Sequence, residues 1–96
     1  MKETSMLPIR FSNHSKLQMA LRGATGQEVE DAIRNAEWSS AKMSRHKAKK
    51  RFGFNNFSPK NNKFYRYKTI DVIFICEHEE IVIVTVKVYY SNEEAL

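Results

Sequence analysis

The sequence has three histidines, His14, His46 and His78, which lie far apart along the chain. A neutral imidazole can accept or release a proton near pH 7, so His14, the histidine within a predicted helix, is the candidate general acid or base. The alternative is a packing or capping role, because His14 lies in line with Leu17 and Leu21 on that helix. The spacing of histidine and cysteine typical of a metal site is not found, so the sequence predicts neither a metal nor a cofactor.

Basic residues are concentrated in the middle of the chain. The whole sequence has 16 Lys and Arg against 11 Asp and Glu, yet between Trp38 and Ile70 there are ten basic residues and no acidic one. Such a one-signed segment attracts polyanions, so nucleic acid is the leading partner; a solvated lysine-rich surface is the alternative. The candidate nucleic-acid-binding residues are Arg45, Lys47, Lys49, Lys50, Arg51 and Arg66.

Aromatic residues are interspersed among these cations. This combination is typical of surfaces on which the bases of single strands stack. A small domain also needs most of its aromatic residues in the core, so we expect at least half of them to be buried. The residues in question are Phe52, Phe54, Phe57, Phe64, Tyr65 and Tyr67.

The length and composition limit the class of protein. Ninety-six residues fit one domain, 1–96, with tails at 1–8 and 91–96 that we expect to be frayed, and exclude a multidomain enzyme. The longest apolar-rich run, 70–90, is interrupted by charges, so we expect no membrane segment, and the first residues lack the apolar stretch of a secretory signal. A single cysteine excludes an internal disulfide, so we expect a cytoplasmic protein.

Local signals predict two helices near the start of the chain. The segment 7–11 can form a short edge strand, after which Ser12 or Asn13 can cap a helix that ends at Gly23. Thr25 and Glu28 have the spacing of a capping box, which predicts a second helix as far as Glu37. The short connection predicts a tight helical hairpin with one joint apolar face.

Alternating residues predict strands in the second half. From Arg45 onwards, the alternation puts Arg45, Lys47, Lys49 and Arg51 on one face of a strand, although a helix is also compatible with this segment. The segment 55–62 is rich in turn formers and is predicted as a loop. The segments 63–77 and 81–90 then form a predicted antiparallel hairpin, which completes an α+β fold with a curved antiparallel sheet of three to four strands.

The alternation in the last strand also predicts a cleft. The face formed by alternate valines, from Val82 to Val88, is expected to lie under the helices, whereas the opposite face becomes polar towards its end. The hairpin register predicted from its turn puts Lys68 opposite Tyr89 on that polar face. A bulge near 69–71 would change this register. The predicted cleft contains Lys68, Thr85, Lys87 and Tyr89.

The order of several short motifs resembles a bacterial family of small domains of unknown function. Residues 14–23 are similar to its opening pattern, His-Ala-x-x-Arg-Met-x-x-Arg-Gly, and Val29 and Ile33 match its second helix. The segments 49–54, 65–68, 72–74 and 81–90 resemble its second half. The similarity covers about residues 9 to 90, and its specificity comes from the order of the motifs.

That family is grouped with the RelE-like, barnase-like and EndoU-like toxin folds. The resemblance therefore implies two helices packed on a curved antiparallel sheet, metal-independent RNA cleavage, and RNA and an antitoxin protein as partners. The family residues that map directly are His14, Arg22, Thr85 and Tyr89. Gln18 departs from the usual arginine, which removes one cation beside His14.

RNA cleavage needs a base for the 2′-hydroxyl, cations for the charge that develops on phosphorus, and an acid for the leaving oxygen. On this interpretation, His14 is the base or acid, Arg22 and Lys68 stabilise charge, and Tyr89 donates or positions. A non-catalytic nucleic-acid-binding domain and a protein-interaction module that uses a β-edge are the alternatives, and the oligomeric state stays open. The candidate catalytic residues are His14, Arg22, Lys68, Thr85 and Tyr89.

Overall fold

Two helices and five strands make up the part of the chain that the structure, a computed structural model, describes, which is residues 6–93. The predicted α+β class is confirmed. In chain order the elements are β1 (Ile9–Phe11), α1 (Asn13–Arg22), α2 (Gly26–Asn35), β2 (Trp38–Ala41), β3 (Arg45–Phe57), β4 (Phe64–Glu77) and β5 (Glu80–Ser91).

The strands form one curled sheet in the order β1-β5-β4-β3-β2. Strand β1 is parallel to β5, whereas the other pairs are antiparallel. The sheet therefore has one strand more than the predicted three to four, and it is antiparallel as predicted except at β1, which is parallel to β5. Strand β2 was not predicted, because its central residues, Ser39 and Ser40, are exposed and polar. They therefore lack the alternation of apolar residues that indicates a strand.

Local capping chemistry sets the helix ends. The Ser12 hydroxyl accepts a hydrogen bond from the Ser15 backbone at the start of α1, and Gly23 ends the helix with φ of 87°. Thr25 and Glu28 form the predicted capping box at the start of α2. Helix α2 ends at Asn35, two residues before the predicted Glu37, because Ala36 adopts an extended conformation.

The apolar residues of α1 do not form the predicted joint core face with α2. Leu17 and Leu21 are 59% and 65% exposed, whereas Ser15 is fully buried. Helix α1 lies along β5, and α2 packs over β3 and β4 through its buried apolar residues. The two helices therefore contact different strands of the sheet.

The edge of β5 explains why α1 turns a polar face inward. Strand β1 pairs only with residues 81–83, so the edge of β5 continues beyond it. The Gln18 side-chain oxygen accepts from the Val86 backbone nitrogen at 2.9 Å, and the Arg22 guanidinium donates to the Val86 carbonyl at 2.7 Å. The Ser12 hydroxyl donates to the Ile83 carbonyl at 3.1 Å. Polar side chains of α1 thus supply the partners that another strand would supply.

A bulge in β5 changes which of its residues reach the core. The predicted register holds at the turn end, where Phe74 pairs with Ile83, but Ile73 pairs with Thr85, so Val84 has no partner across the strand pair. As a result, the buried residues of β5 are Ile81, Ile83, Val86 and Val88. The predicted all-valine face is therefore wrong.

The connections differ from prediction mainly at the β3–β4 loop. Strand β3 continues to Phe57 through an irregularity between Gly53 and Asn56, so the loop covers only residues 58–63. The β4–β5 turn consists of His78 and Glu79, both at positive φ.

The described parts of the predicted frayed tails make hydrogen bonds. The Ile81 nitrogen donates to the Pro8 carbonyl at 2.8 Å, and the Asn92 side chain accepts from the Arg66 nitrogen at 2.8 Å. Residues 1–5 and 94–96 lie outside the described residues.

Because of the bulge, replacing two valines of β5 by alanine should lower the free energy of unfolding by different amounts. Val86→Ala removes two buried methyl groups from the core and should lower the free energy of unfolding by about 2 kcal/mol. Val84→Ala, at the half-buried bulge, should cost less than about 1 kcal/mol. Urea denaturation of both variants measures the difference, and a larger loss for Val84→Ala contradicts the assignment of the core.

Candidate nucleic-acid interface

Strand β3 sorts its cations between the two faces of the sheet. Ala48 is buried opposite Val72, so the residues that alternate with it face away from the helices. This confirms the strand interpretation of the segment that begins at Arg45. The cations on the side away from the helices are Arg45, Lys47, Lys49 and Arg51.

The register brings polar residues of β5 onto the same side. Lys49, Asp71 and Lys87 form one row across the three central strands, and Arg51, Thr69 and Tyr89 form the next. Neither helix covers this side of the sheet. We call it the open face. It includes Ile73, and its other residues are Arg45, Lys47, Lys49, Arg51, Thr69, Asp71, Thr85, Lys87 and Tyr89.

Asp71 is the acidic residue of the open face. It is only 3% exposed, and its Oδ2 lies 3.8 Å from the Lys47 ammonium, whereas its Oδ1 has no hydrogen-bond partner among residues 6–93. Lys49 and Lys87 flank it on the neighbouring strands. Asp71 is therefore paired with one lysine and lies between two others in the strand register, so its attraction favours keeping these side chains on the open face.

A shallow depression lies where the open face meets the end of α1. Its lining combines three cations with two hydroxyl groups, a set of groups that can hold a phosphate by charge and by hydrogen bonds. It includes three of the predicted catalytic residues, Arg22, Thr85 and Tyr89, and it adds Lys60, which sequence reasoning missed because a loop brings it there. The lining residues are Arg22, Lys60, Thr85, Lys87, Val88 and Tyr89.

His14 is exposed on α1 and does not line this depression. Its Nε2 lies 3.0 Å from the Gln18 amide nitrogen. Because the oxygen of that amide accepts from the Val86 nitrogen, the amide nitrogen must donate to His14. In this geometry Nε2 is the acceptor, so Nδ1 is the ring nitrogen that is left for other contacts.

Lys68 lies on the opposite side of the sheet from the open face. The bulge pairs it with Tyr90 instead of the predicted Tyr89, and Lys68 is only 5% exposed. Its ammonium donates to the Gly23 carbonyl at 2.9 Å and lies 2.8 Å from the Glu28 carboxylate. The predicted cleft that joined Lys68 with Thr85, Lys87 and Tyr89 is therefore wrong.

Tyr90 lies beside Lys68 at the end of α1. Its hydroxyl donates to the Arg22 carbonyl at 2.6 Å, and a Cβ atom at Gly23 would collide with the same hydroxyl and with the Pro59 ring. Burial raises the pKa of the Tyr90 phenol, and a hydrogen bond with Ser58 partly offsets this. The neutral phenol is therefore favoured as the donor that caps the end of α1.

Lys50 and Arg66 are the two candidate binding residues that are not part of the open face. The Lys50 ammonium lies 2.8 Å from an Asp31 oxygen, and this hydrogen bond, with a smaller contribution from Asn35, holds the pKa of Asp31 below its usual value. The Arg66 guanidinium lies 5.8 Å from the centre of the Tyr67 ring.

The aromatic residues divide into packed and exposed groups. Phe54 and Tyr65 pack against Tyr90, with ring centres 5.2 Å and 5.6 Å away. His46 likewise contacts the Trp38 ring, 5.4 Å between centres. By contrast, Phe57 and Phe64 are exposed at the end of the β3–β4 hairpin. The expectation that at least half of the six aromatic residues are buried is wrong, because none of them is buried and Phe52 is the member of the set that packs against the core.

Within residues 6–93, histidine, cysteine and carboxylate side chains form no group that could hold a metal ion. No helix in the same range is long and apolar enough to cross a membrane. Comparison with protein-family models, with curated proteins and with solved structures found no match to this chain.

The contacts of Lys68 predict that it acts on stability. Lys68→Met leaves Glu28 without its cation and the Gly23 carbonyl without its donor, so it should lower the free energy of unfolding by about 3 kcal/mol. Lys49→Met, on the open face, is the matched control and should change it by less than about 0.5 kcal/mol. Equal stability of the two variants in urea denaturation contradicts this assignment.

Proposed function

We propose that this protein binds RNA along the open face of its sheet, as a toxin-like domain. The observation that carries the proposal is the register, which aligns four cations of β3 with Lys87 and Tyr89 of β5 on a face that the helices leave uncovered. A surface of this charge attracts a phosphate backbone, and its tyrosine offers a ring on which a base can stack. RNA as the partner agrees with the proposed cytoplasmic location.

The salt dependence of binding tests this proposal. If Arg45, Lys47, Lys49, Arg51 and Lys87 each contact one phosphate of a single strand, log K should fall against log salt with a slope of about −3.5, since each contact contributes about −0.7. Fluorescence anisotropy with labelled single-stranded RNA across a salt series measures the slope. A slope near zero rejects the proposal.

Neighbouring lysines of β3 provide the control for that measurement. Lys49→Ala should weaken binding and reduce the steepness of the slope by about 0.7. Lys50→Ala, which lies on the other side of the sheet and is paired with Asp31, should leave the slope unchanged. Equal effects of the two substitutions would mean that RNA does not select the open face.

The depression at the end of α1 favours a second function, metal-independent RNA cleavage. Arg22, Lys60 and Lys87 supply the positive charge that a phosphorane needs, and Thr85 and Tyr89 supply hydroxyl donors. His14 is the proposed acid–base group. Its Nε2 is hydrogen-bonded to Gln18, so this bond must break when RNA binds before the ring can reach the phosphate. This is the chemistry that the resemblance to toxin ribonucleases implies, and an antitoxin protein is its proposed partner.

Cleavage and binding should respond to different substitutions. His14→Ala should lower the cleavage rate by about 10² to 10⁴ and leave RNA affinity nearly unchanged, because it removes a proton-transfer group. Lys49→Ala should weaken binding with a smaller effect on the rate of bound RNA. Single-turnover assays in the presence of EDTA separate the two effects. Binding without any cleavage by the unsubstituted protein would instead support the non-catalytic RNA-binding alternative.

A further inference from the structure

We infer that the cross-strand pair Phe57–Phe64 is a base-stacking site that makes the protein select single-stranded over duplex RNA. This inference rests on the proposed RNA-binding function and names the form of RNA that it takes. It concerns two rings at the end of the β3–β4 hairpin, whereas the proposed cleavage site uses Lys60 of the intervening loop and neither ring.

The two rings are exposed where aromatic side chains are normally buried. Phe57 is 58% exposed and Phe64 is 48% exposed, although both are large apolar side chains. They lie directly opposite each other in the strand register, and their ring centres are 5.6 Å apart in an edge-to-face arrangement. Together they present aromatic surface to solvent on two adjacent strands.

The surroundings of the pair are positively charged. The segment between Trp38 and Ile70 contains no acidic residue, and the loop between the two rings contributes the exposed Lys60 and Lys63. A protein or lipid ligand would satisfy the apolar rings, but aromatic faces close to Lys60 and Lys63 in sequence match the bases and phosphates of a single nucleic-acid strand best. In a duplex the bases are already stacked on each other and cannot use the rings.

The loop that separates the two phenylalanines is internally fixed. The Ser58 nitrogen donates to the Lys63 carbonyl, and the Asn62 nitrogen donates to the Ser58 carbonyl, each at 2.8 Å. The buried Ser58 hydroxyl also accepts from the Lys60 nitrogen at 3.1 Å. The backbone between the two rings is therefore ordered before a ligand arrives, which lowers the entropy lost on binding.

The position of the pair also suits a strand that continues from the open face. Phe57 follows Arg51 by six positions of the same strand, so the two lie at most about 20 Å apart at about 3.3 Å per residue, and less because of the irregularity between Gly53 and Asn56. A single strand whose phosphates lie along the β3 cations can reach the rings by continuing in the direction of β3.

The test compares an oligouridine with an RNA duplex of equal length. Phe57→Ala should weaken oligouridine binding about fivefold or more, with an unchanged salt slope, because it removes a stacking surface and no charge. Phe57→Tyr should retain binding, and Phe57→Leu should lose it, since leucine keeps apolar area but has no aromatic face. Duplex affinity should be the same for all variants.

Leu17→Ala is the matched control, because Leu17 is as exposed as Phe57 but lies on α1, and it should bind oligouridine like the unsubstituted protein. Full affinity of Phe57→Ala or of Phe57→Leu overturns the inference, as does an equal loss for duplex RNA. If the unsubstituted protein binds neither RNA, the proposed function itself fails. Phe64→Ala, measured alongside with circular dichroism, distinguishes lost stacking from a hairpin that no longer folds.

Discussion

The buried ammonium of Lys68 is the contact on which the arrangement of the helices depends. It donates to the carbonyl at the end of α1 and pairs with the carboxylate in the first turn of α2, so one side chain from the sheet holds both sides of the helix connection. A cation at a helix C-terminus and an anion at an N-terminus both match the helix dipoles. Burial of this charge is tolerated because each side has a partner.

Fixing the end of α1 in this way also fixes its position along β5. From there, Gln18 and Arg22 reach the backbone of Val86, and the exposed edge of the strand gains side-chain partners. Some of the polar side chains that the sequence suggests as catalytic candidates thus make hydrogen bonds that stabilise the fold. Arg22 illustrates this, because the same guanidinium that lines the depression at the end of α1 donates to the sheet.

The start of both helices, the end of α1 and the strand character of β3 were predictable because they depend on nearby residues. Capping by Ser12 and Thr25 and the glycine at the end of α1 are local signals, and the alternation of β3 follows from the two-residue period of a strand. The bulge at Val84 carries no glycine or proline to mark it, and it displaces Lys68 from the predicted cleft. The inward face of α1 was also unpredictable, because the periodicity of apolar residues could not show that a strand edge would require polar partners.

The parallel pairing of β1 with β5 has a consequence for the order in which the chain folds. Strands β2 to β5 are joined to their neighbours by short connections, whereas Ile9 must find Ile81 across almost the whole described chain. The entropy of closing so long a loop makes this contact late, after the central meander offers a surface to meet. During synthesis, the first strand and α1 emerge early yet have no edge to join until β5 has left the ribosome. Of the described strands, β1 is therefore the one that waits longest for its partner strand during synthesis.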